Sequence, residues 1–324
     1  MCILPGVTLV LREADVRQVL DMDAVIGAVE KATRELGDGV AQNEPRRRAF
    51  GPGGLLNVMF ASYPGGGCTG LKAYSVAGGK ARFLVATFAL DGTLQALIEG
   101  DLMGSYRTGA ASAVAAKALG PRGQVTVAII GTGYQADRQV LALSRVCDIH
   151  ELRAYGRDRT RRETFARDRQ SELGLRATAA ESAEAAVRGA DVVIAMTTSS
   201  EPVLEADWVE PNALVIAAGS NFPNRAEIPA DLVARAGVVV VDQLATARLE
   251  SGDLIQANAA GKFDWDRATE LVSVLAGKWR APDVPGITLF ESHGLAIWDL
   301  AAASVVLPAA RERGLGEEVA FFSE

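Results

Sequence analysis

Apolar residues follow two different rhythms along this chain. Through the middle, short runs rich in branched side chains recur at 124–130, 151–155, 191–197, 213–219 and 238–242. The intervals between them are too long for hairpins and suit crossover helices. Charged, alanine-rich stretches at 159–173 and 180–188 fit helices that cover a parallel sheet. This pattern predicts a Rossmann-type, doubly wound α/β domain. Before it, residues 8–20 enter an amphipathic region, and 22–36 carry apolar positions at helical spacing with Asp21 or Asp23 as cap. Strand-like segments follow at 55–61, 70–76 and 81–90, the last closing on the turn Asp91-Gly92. An alanine-rich helix is expected over 108–119, beginning right after Arg107, with its N-terminus and Thr108 available to an anion. The tail, 287–311, starts like a strand, continues as a long helix and is expected to return to the first domain. The predicted division is an α+β domain of residues 1–120 plus 288–324 and a sheet domain of 121–287, linked through Gly120-Pro121-Arg122-Gly123.

Composition narrows the class. With 324 residues the chain exceeds one ordinary core, and its 49% apolar content suffices for two. Lys plus Arg number 33 against 40 Asp plus Glu, a formal charge of −7. That balance argues against nucleic acid as the main partner, so an anion site must be built locally. No apolar run reaches membrane-spanning length and no leader pattern is visible, which points to the cytoplasm. Cys2, Cys68 and Cys147 show no metal-ligand spacing and are expected to be reduced.

The most specific local feature is the strand at 124–130 running into Gly131-Thr132-Gly133-Tyr134-Gln135-Ala136. The first glycine permits a tight turn, the second lets backbone approach a pyrophosphate, and Ala136 keeps the following helix close to its strand. A nicotinamide or flavin dinucleotide is the expected cofactor. Where NAD-preferring sites place an acid at the end of the second strand, this chain has Gly156-Arg157-Asp158-Arg159, so NADP(H) is expected to be preferred. NAD(H) remains open if Asp158 binds the ribose. In the first domain, Arg46, Arg47 and Arg48, then Lys72 and Arg107, carry positive charge into apolar surroundings. Lys72 and Arg107 should therefore face a cleft or a counter-ion, whereas the arginine run can also be read as a solvated edge of which only alternate members share a face.

Gly-Leu-Lys at 70–72, Arg-Thr-Gly-Ala-Ala at 107–111, the Gly131–Ala136 turn, Thr197 with Glu201-Pro202, Ala-Gly-Ser-Asn-Phe-Pro at 218–223 and Phe-Glu-Ser-His-Gly-Leu-Ala at 290–296 occur in order along nearly the whole chain. In this combination the sequence resembles the ornithine cyclodeaminase and mu-crystallin family. The resemblance implies a homodimer whose first domain, completed by the C-terminal helix, pairs subunits and binds substrate. It also implies an α-carboxylate held by Arg47 or its neighbour Arg46, by Lys72 and by Arg107. Arginine forks orient a carboxylate, and a lysine adds charge and can exchange a proton. Thr197, Ser220 and His293-Gly294 are expected on the nicotinamide side. His293 carries no catalytic assignment, and His150 reads as a strand-edge residue.

Two positions depart from the cyclodeaminase pattern. Where that reaction needs carboxylates to hold amine groups, the chain has Asn57 and Asn221. An amide cannot offset an ammonium charge or act as a base. The expected activity is hydride transfer at the C–N bond of a small imino or amino acid, most simply reduction of a cyclic ketimine carboxylate, with Asn221 bonded to substrate nitrogen or a water. Ornithine cyclodeamination and cofactor-dependent ligand binding without turnover are the alternatives.

Overall fold

The computed structural model describes residues 7–280 and 286–322, so Cys2 lies outside the described residues. Two compact units emerge, one of residues 1–107 with 294–324 and one of 108–293. The first division falls inside a helix, not at the Gly120–Gly123 link.

The first unit is built on a mixed sheet of β1 (Val7–Leu11), β2 (Gln42–Asn43), β3 (Arg47–Gly51), β4 (Gly54–Tyr63), β5 (Cys68–Ala77), β6 (Lys80–Ala89) and β7 (Leu94–Glu99), with a last strand at Glu317–Ala320. Strands β3 to β7 form an antiparallel meander, β1 runs parallel to β7, and the last strand closes on β1. The helix α1 (Glu13–Val19) and the helix α2 (Met22–Gly37) precede the meander. Asp21 caps α2 by accepting a hydrogen bond from the Ala24 amide, as its position predicts. The C-terminal helix Ala296–Glu312 packs on α2, β4 and β5, pinned by the Trp298 indole donating to Thr33 at 2.9 Å.

The expected start of the alanine-rich helix needs correction. Helix α3 spans Asp101–Leu119, so Arg107 and Thr108 lie in its interior and Thr108 offers no helix N-terminus to an anion. The end of the helix is instead satisfied by Glu13, whose carboxylate accepts from the amides of Asp101 and Leu102. Such a cap is remote in sequence and leaves no local signal ahead of Arg107.

The second unit holds an all-parallel sheet of β8 (Gln124–Ile130), β9 (Asp148–Tyr155), β10 (Arg176–Ala179), β11 (Val192–Ala195), β12 (Leu214–Ala217), β13 (Ala236–Val241), β14 (Ala268–Glu270) and β15 (Ile287–Glu291). Their order is β10-β9-β8-β11-β12-β15-β13-β14. The reversal of direction between β9, β8 and β11 places the doubly wound switch point at the end of β8. Helices α4 (Tyr134–Leu143) and α5 (Arg159–Leu173) follow β8 and β9. The strand-like start of the tail, β15, belongs to this sheet, where it pairs with β12 on one side and β13 on the other. Its nearly unbroken apolar run suits a strand buried on both faces. Among the described residues, no helix is long and apolar enough to cross a membrane.

Candidate active site

Side chains of alternate residues share a sheet face, and directly opposed residues of antiparallel strands point the same way. Asn57 of β4 opposes Arg48 of β3 and Tyr74 of β5, and Tyr74 opposes Phe83 of β6. Lys72, two residues before Tyr74, is on that same inner face, and Arg46 shares it with Arg48. Arg47 therefore faces the other way: it is exposed, while Arg46 is 6% exposed. Arg46 stacks over the Tyr74 ring at 5.9 Å, Tyr74 and Phe83 stack on each other, and the Lys72 ammonium lies 5.2 Å from the Phe83 ring centre.

One carboxylate organises the cations. Asp299, fully buried in the C-terminal helix, accepts from Lys72 Nζ at 2.8 Å and from Arg107 Nε at 3.1 Å, both on Oδ1. Its Oδ2 has no partner among the described residues. Burial lowers the Lys72 pKa to about 8, with Asp299 opposing and Arg107 assisting the shift. Asp299 is itself held below the ordinary aspartate value: burial works against its charge, but Arg107 and Lys72 outweigh it. Gly294 backs this cluster with φ +84°, and a Cβ there would stand 2.5 Å from Arg107 Nη1. Its role is therefore to give the guanidinium room. Asn57 is buried, and its Oδ1 accepts from Arg48 Nε at 3.1 Å.

In the second unit, Gly131 adopts φ +108°, and a Cβ there would collide with the Met196 carbonyl at 2.1 Å. Its amide donates to Tyr155 O, which closes the turn. Gly133 is the N-cap of α4, has no side-chain cap, and faces open space where a Cβ would intrude. Ala136 is fully buried, while Tyr134 is half-exposed and Gln135 partly buried beside it. A cleft of about 380 Å³ is lined by Gly131, Thr132, Gly133, Arg157 and Thr197 among others. These features fit a dinucleotide pyrophosphate: glycine backbone at the turn and a helix N-terminus that carries no side-chain cap. Asp158 is used as the cap of α5, accepting from the Arg161 amide at 3.0 Å, and Arg159 pairs with Glu163 along that helix.

Thr197 leads to a residue that sequence reasoning did not single out. Its amide and hydroxyl both donate to Glu227 Oε1, at 2.6 and 2.7 Å, and the Gly219 amide donates to Oε2 at 2.6 Å. Glu227 thereby ties the ends of β11 and β12 together. Burial raises its pKa to about 7 despite those hydrogen bonds. Ser220 and Asn221 follow in the irregular segment after β12, where Ser220 Oγ accepts from the Phe222 amide. His293 is clasped between Asp242 and Glu291, with Nδ1 3.4 Å from Asp242 and Nε2 3.5 Å from Glu291. Burial disfavours its charge, but the bond to Asp242 and the two carboxylates prevail and raise its pKa to about 10. The two flanking carboxylates thus favour its protonated form.

The structure thus brings Arg46, Lys72, Arg107 and Asn57 together in the first unit, and Gly131–Ala136, Arg157 and Thr197 in the second. Asp299 was overlooked, although a lone carboxylate in the apolar run Ala296–Leu307 was a readable sign. Arg48 was named only as part of the run.

A dinucleotide cradle and a buried cation cluster define a nicotinamide-dependent enzyme of amino- and imino-acid chemistry. The chain belongs to the ornithine cyclodeaminase/mu-crystallin family, whose model matches residues 6–314. It is 33% identical to an alanine dehydrogenase of Archaeoglobus fulgidus over 97% of this chain and 99% of that one. Among solved structures it resembles the pyrroline-2-carboxylate reductase of Thermococcus litoralis in complex with NADH and L-proline, at TM-score 0.91 and 28% identity over 96% and 100% of the chains. An archaeal alanine dehydrogenase dimer with bound NAD matches at 0.92 and 31% over 98% and 100%. The iminosuccinate reductase of Paracoccus denitrificans with NAD+ matches at 0.90 and 28% over 97% and 99%.

Proposed function

We propose that the protein reduces the C=N bond of a small 2-imino carboxylate, cyclic ketimine carboxylates included, and runs the reverse oxidation of the amino acid. The observation that carries this reading is the buried pair Lys72 and Arg107 joined on Asp299, with buried Arg46 on the same face of the sheet as Lys72. Arg46 and Arg107 hold the α-carboxylate by fork-like hydrogen bonds. Lys72 keeps its proton at neutral pH yet releases it readily, which suits a general acid for the developing amine nitrogen. When bound, a reduced nicotinamide supplies the hydride for the imine carbon. Asn221 is assigned a hydrogen bond to the substrate nitrogen or to a water. Ornithine cyclodeamination is disfavoured, because Asn57 offers an ammonium group no charge.

NADP(H) is the cofactor we favour, with NAD(H) used less well. Arg157 lines the cleft, while Asp158 is engaged in capping α5. A homodimer is supported by the outer face of the meander, where Leu56, Phe60 and Leu84 are all more than 40% exposed; apolar patches of this kind mark subunit contacts. The free thiols of Cys68 and Cys147 suit a reducing cytoplasm.

The test is direct. NADPH absorbance should fall when the protein meets 1-pyrroline-2-carboxylate or 1-piperideine-2-carboxylate. Ammonia release from ornithine without net cofactor change would replace the reading by cyclodeamination. Tight NADPH binding with neither reaction would replace it by a binding role.

A further inference from the structure

We infer that Glu227 is a positioning residue of the cofactor cleft and the counter-charge of the oxidised nicotinamide ring, so that the protein gives up a proton on binding the oxidised cofactor and keeps it on binding the reduced one. The inference rests on the nicotinamide cofactor alone. It goes beyond the substrate reading above, since it stands whichever imine is reduced.

Place is the first argument. A dinucleotide lies across the switch point of a doubly wound sheet, with one half on each side of the crevice. Here the cleft runs from Arg157, after β9, to Thr197, after β11. With Arg157 on the β9 side of β8, the nicotinamide half falls to the ends of β11 and β12. Glu227 is wedged between those two ends: a Cβ on Gly219 would stand 2.5 Å from both of its carboxylate oxygens and from Thr197 N. Thr197 gives its one hydroxyl proton to Glu227 and accepts from the Ser199 amide. It therefore has no proton left to donate to the cofactor, and the acid behind it supplies the character of this wall.

Charge is the second argument. The three donors that meet the Glu227 carboxylate are two amides and a hydroxyl, all neutral. Its charged neighbours are acids. From the helix Gly252–Ala259, Asp253 accepts from the amides of Glu227 and Ile228 at 2.7 and 2.8 Å. From β15, Glu291 adds a further negative charge. Glu291 accepts from Ser251 Oγ at 3.1 Å, and its Oε1 is buried with no partner. His293 is met by Glu291 on one side and by Asp242 on the other. Among the described residues, no lysine, arginine or histidine pairs with Glu227 or Asp253. A buried acid set among other acids holds its proton until an opposite charge arrives. For Glu227, burial is the main cause and Glu291 adds to it, which puts the exchange near pH 7. The nicotinamide ring is a cation when oxidised and neutral when reduced, so only the oxidised form supplies the missing charge. The proton then leaves the carboxyl group for solvent, and no bond to the ring is formed.

The experiment is calorimetric titration of the wild-type protein with NADP+, NADPH, NAD+ and NADH from pH 6 to 8, in buffers of different ionisation enthalpy that count the protons exchanged. A cation that lowers the Glu227 pKa by about 1–2 units should release at least about half a proton at pH 6.5. The oxidised forms should accordingly bind about five- to tenfold more tightly at pH 8 than at pH 6. The reduced forms, which carry the same phosphates and so cancel their titration, should change less than about twofold. Glu227→Gln, which cannot ionise, should abolish this difference between oxidised and reduced forms. Asp253→Asn, which removes a neighbouring negative charge, should move the release about one pH unit lower. The wild-type proton count decides even where a variant fails to fold: no release with the oxidised forms, or equal release with both redox forms, overturns the inference. Release that persists in Glu227→Gln overturns it as well, and all three results leave the imine-reductase reading standing. Binding of none of the four dinucleotides overturns that reading, and this inference with it.

Discussion

Replacing Asp299 with asparagine removes the one negative charge shared by Lys72 and Arg107 while keeping the side chain's shape. Lys72 now has a pKa of about 8 although burial and Arg107 both depress it, and Asp299 is the group that holds it up. Loss of an adjacent opposite charge moves a pKa by about 1–3 units, so Lys72 should fall to about 6. At pH 7.5 its protonated fraction then drops from about three quarters to about 3%, roughly a 25-fold loss of the acid form. At pH 5.5 both proteins should be mostly protonated and the gap should close to within a few-fold. The assay is kcat/KM for imine reduction from pH 5 to 9.5, which reports ionisations of the free enzyme. The wild-type rate should decline above about pH 8 and the variant above about pH 6. Because breaking a buried ion pair costs about 3–5 kcal/mol, thermal unfolding should confirm that the variant is folded at the assay temperature. An alkaline limb that stays in place, with a uniform loss at every pH, would refute the assignment of Lys72 as proton donor poised by Asp299.

Arg107→Ala should lower kcat/KM by about 10- to 100-fold through loss of a carboxylate contact, while fluorescence titration finds NADPH affinity nearly unchanged; unaltered turnover would remove the carboxylate clamp. Arg157→Asp should shift the ratio of kcat/KM values from NADPH towards NADH, and an unchanged ratio would deny Arg157 a part in binding the 2′-phosphate. Glu227 has a folded pKa of about 7, above its ordinary 4.5, so the folded state takes up a proton that the unfolded state does not. Its contribution is complete below pH 4.5 and is lost as pH rises through 7, about 3 kcal/mol in all. Denaturant unfolding from pH 4.5 to 8 should show this slope, and Glu227→Gln should flatten it; equal slopes would mean that other groups set it. Gly131→Ala should abolish dinucleotide binding, since its Cβ meets the Met196 carbonyl, and retained binding would show that the turn can open.

Much of the fold was legible because its signals are local. The buried runs of β8, β9, β11, β12 and β13 and the turn at Gly131 are contiguous in sequence, and α5 fell over residues 159–173 as the charge pattern indicated. What escaped depended on distant partners. The start of α3 is set by Glu13, nearly ninety positions earlier, and β10 and β14 are edge strands of three or four residues too short for periodicity to reveal. The same holds for the site. Lys72 and Arg107 announced themselves as cations in apolar segments, whereas Asp299 gains its meaning only when the C-terminal helix reaches β5. Between Arg46 and Arg47 the decision belongs to strand register, which no residue in the run encodes alone.

The place of β15 has a consequence for how the molecule is made. This late segment is wedged between two strands laid down much earlier in the chain, so the nucleotide-binding sheet stays split until synthesis is nearly finished. A ribosome releasing this protein must shelter two half-sheets with open edges, each prone to sticking. Nonsense mutations anywhere before residue 287 should therefore yield insoluble fragments, not free-standing cofactor-binding domains.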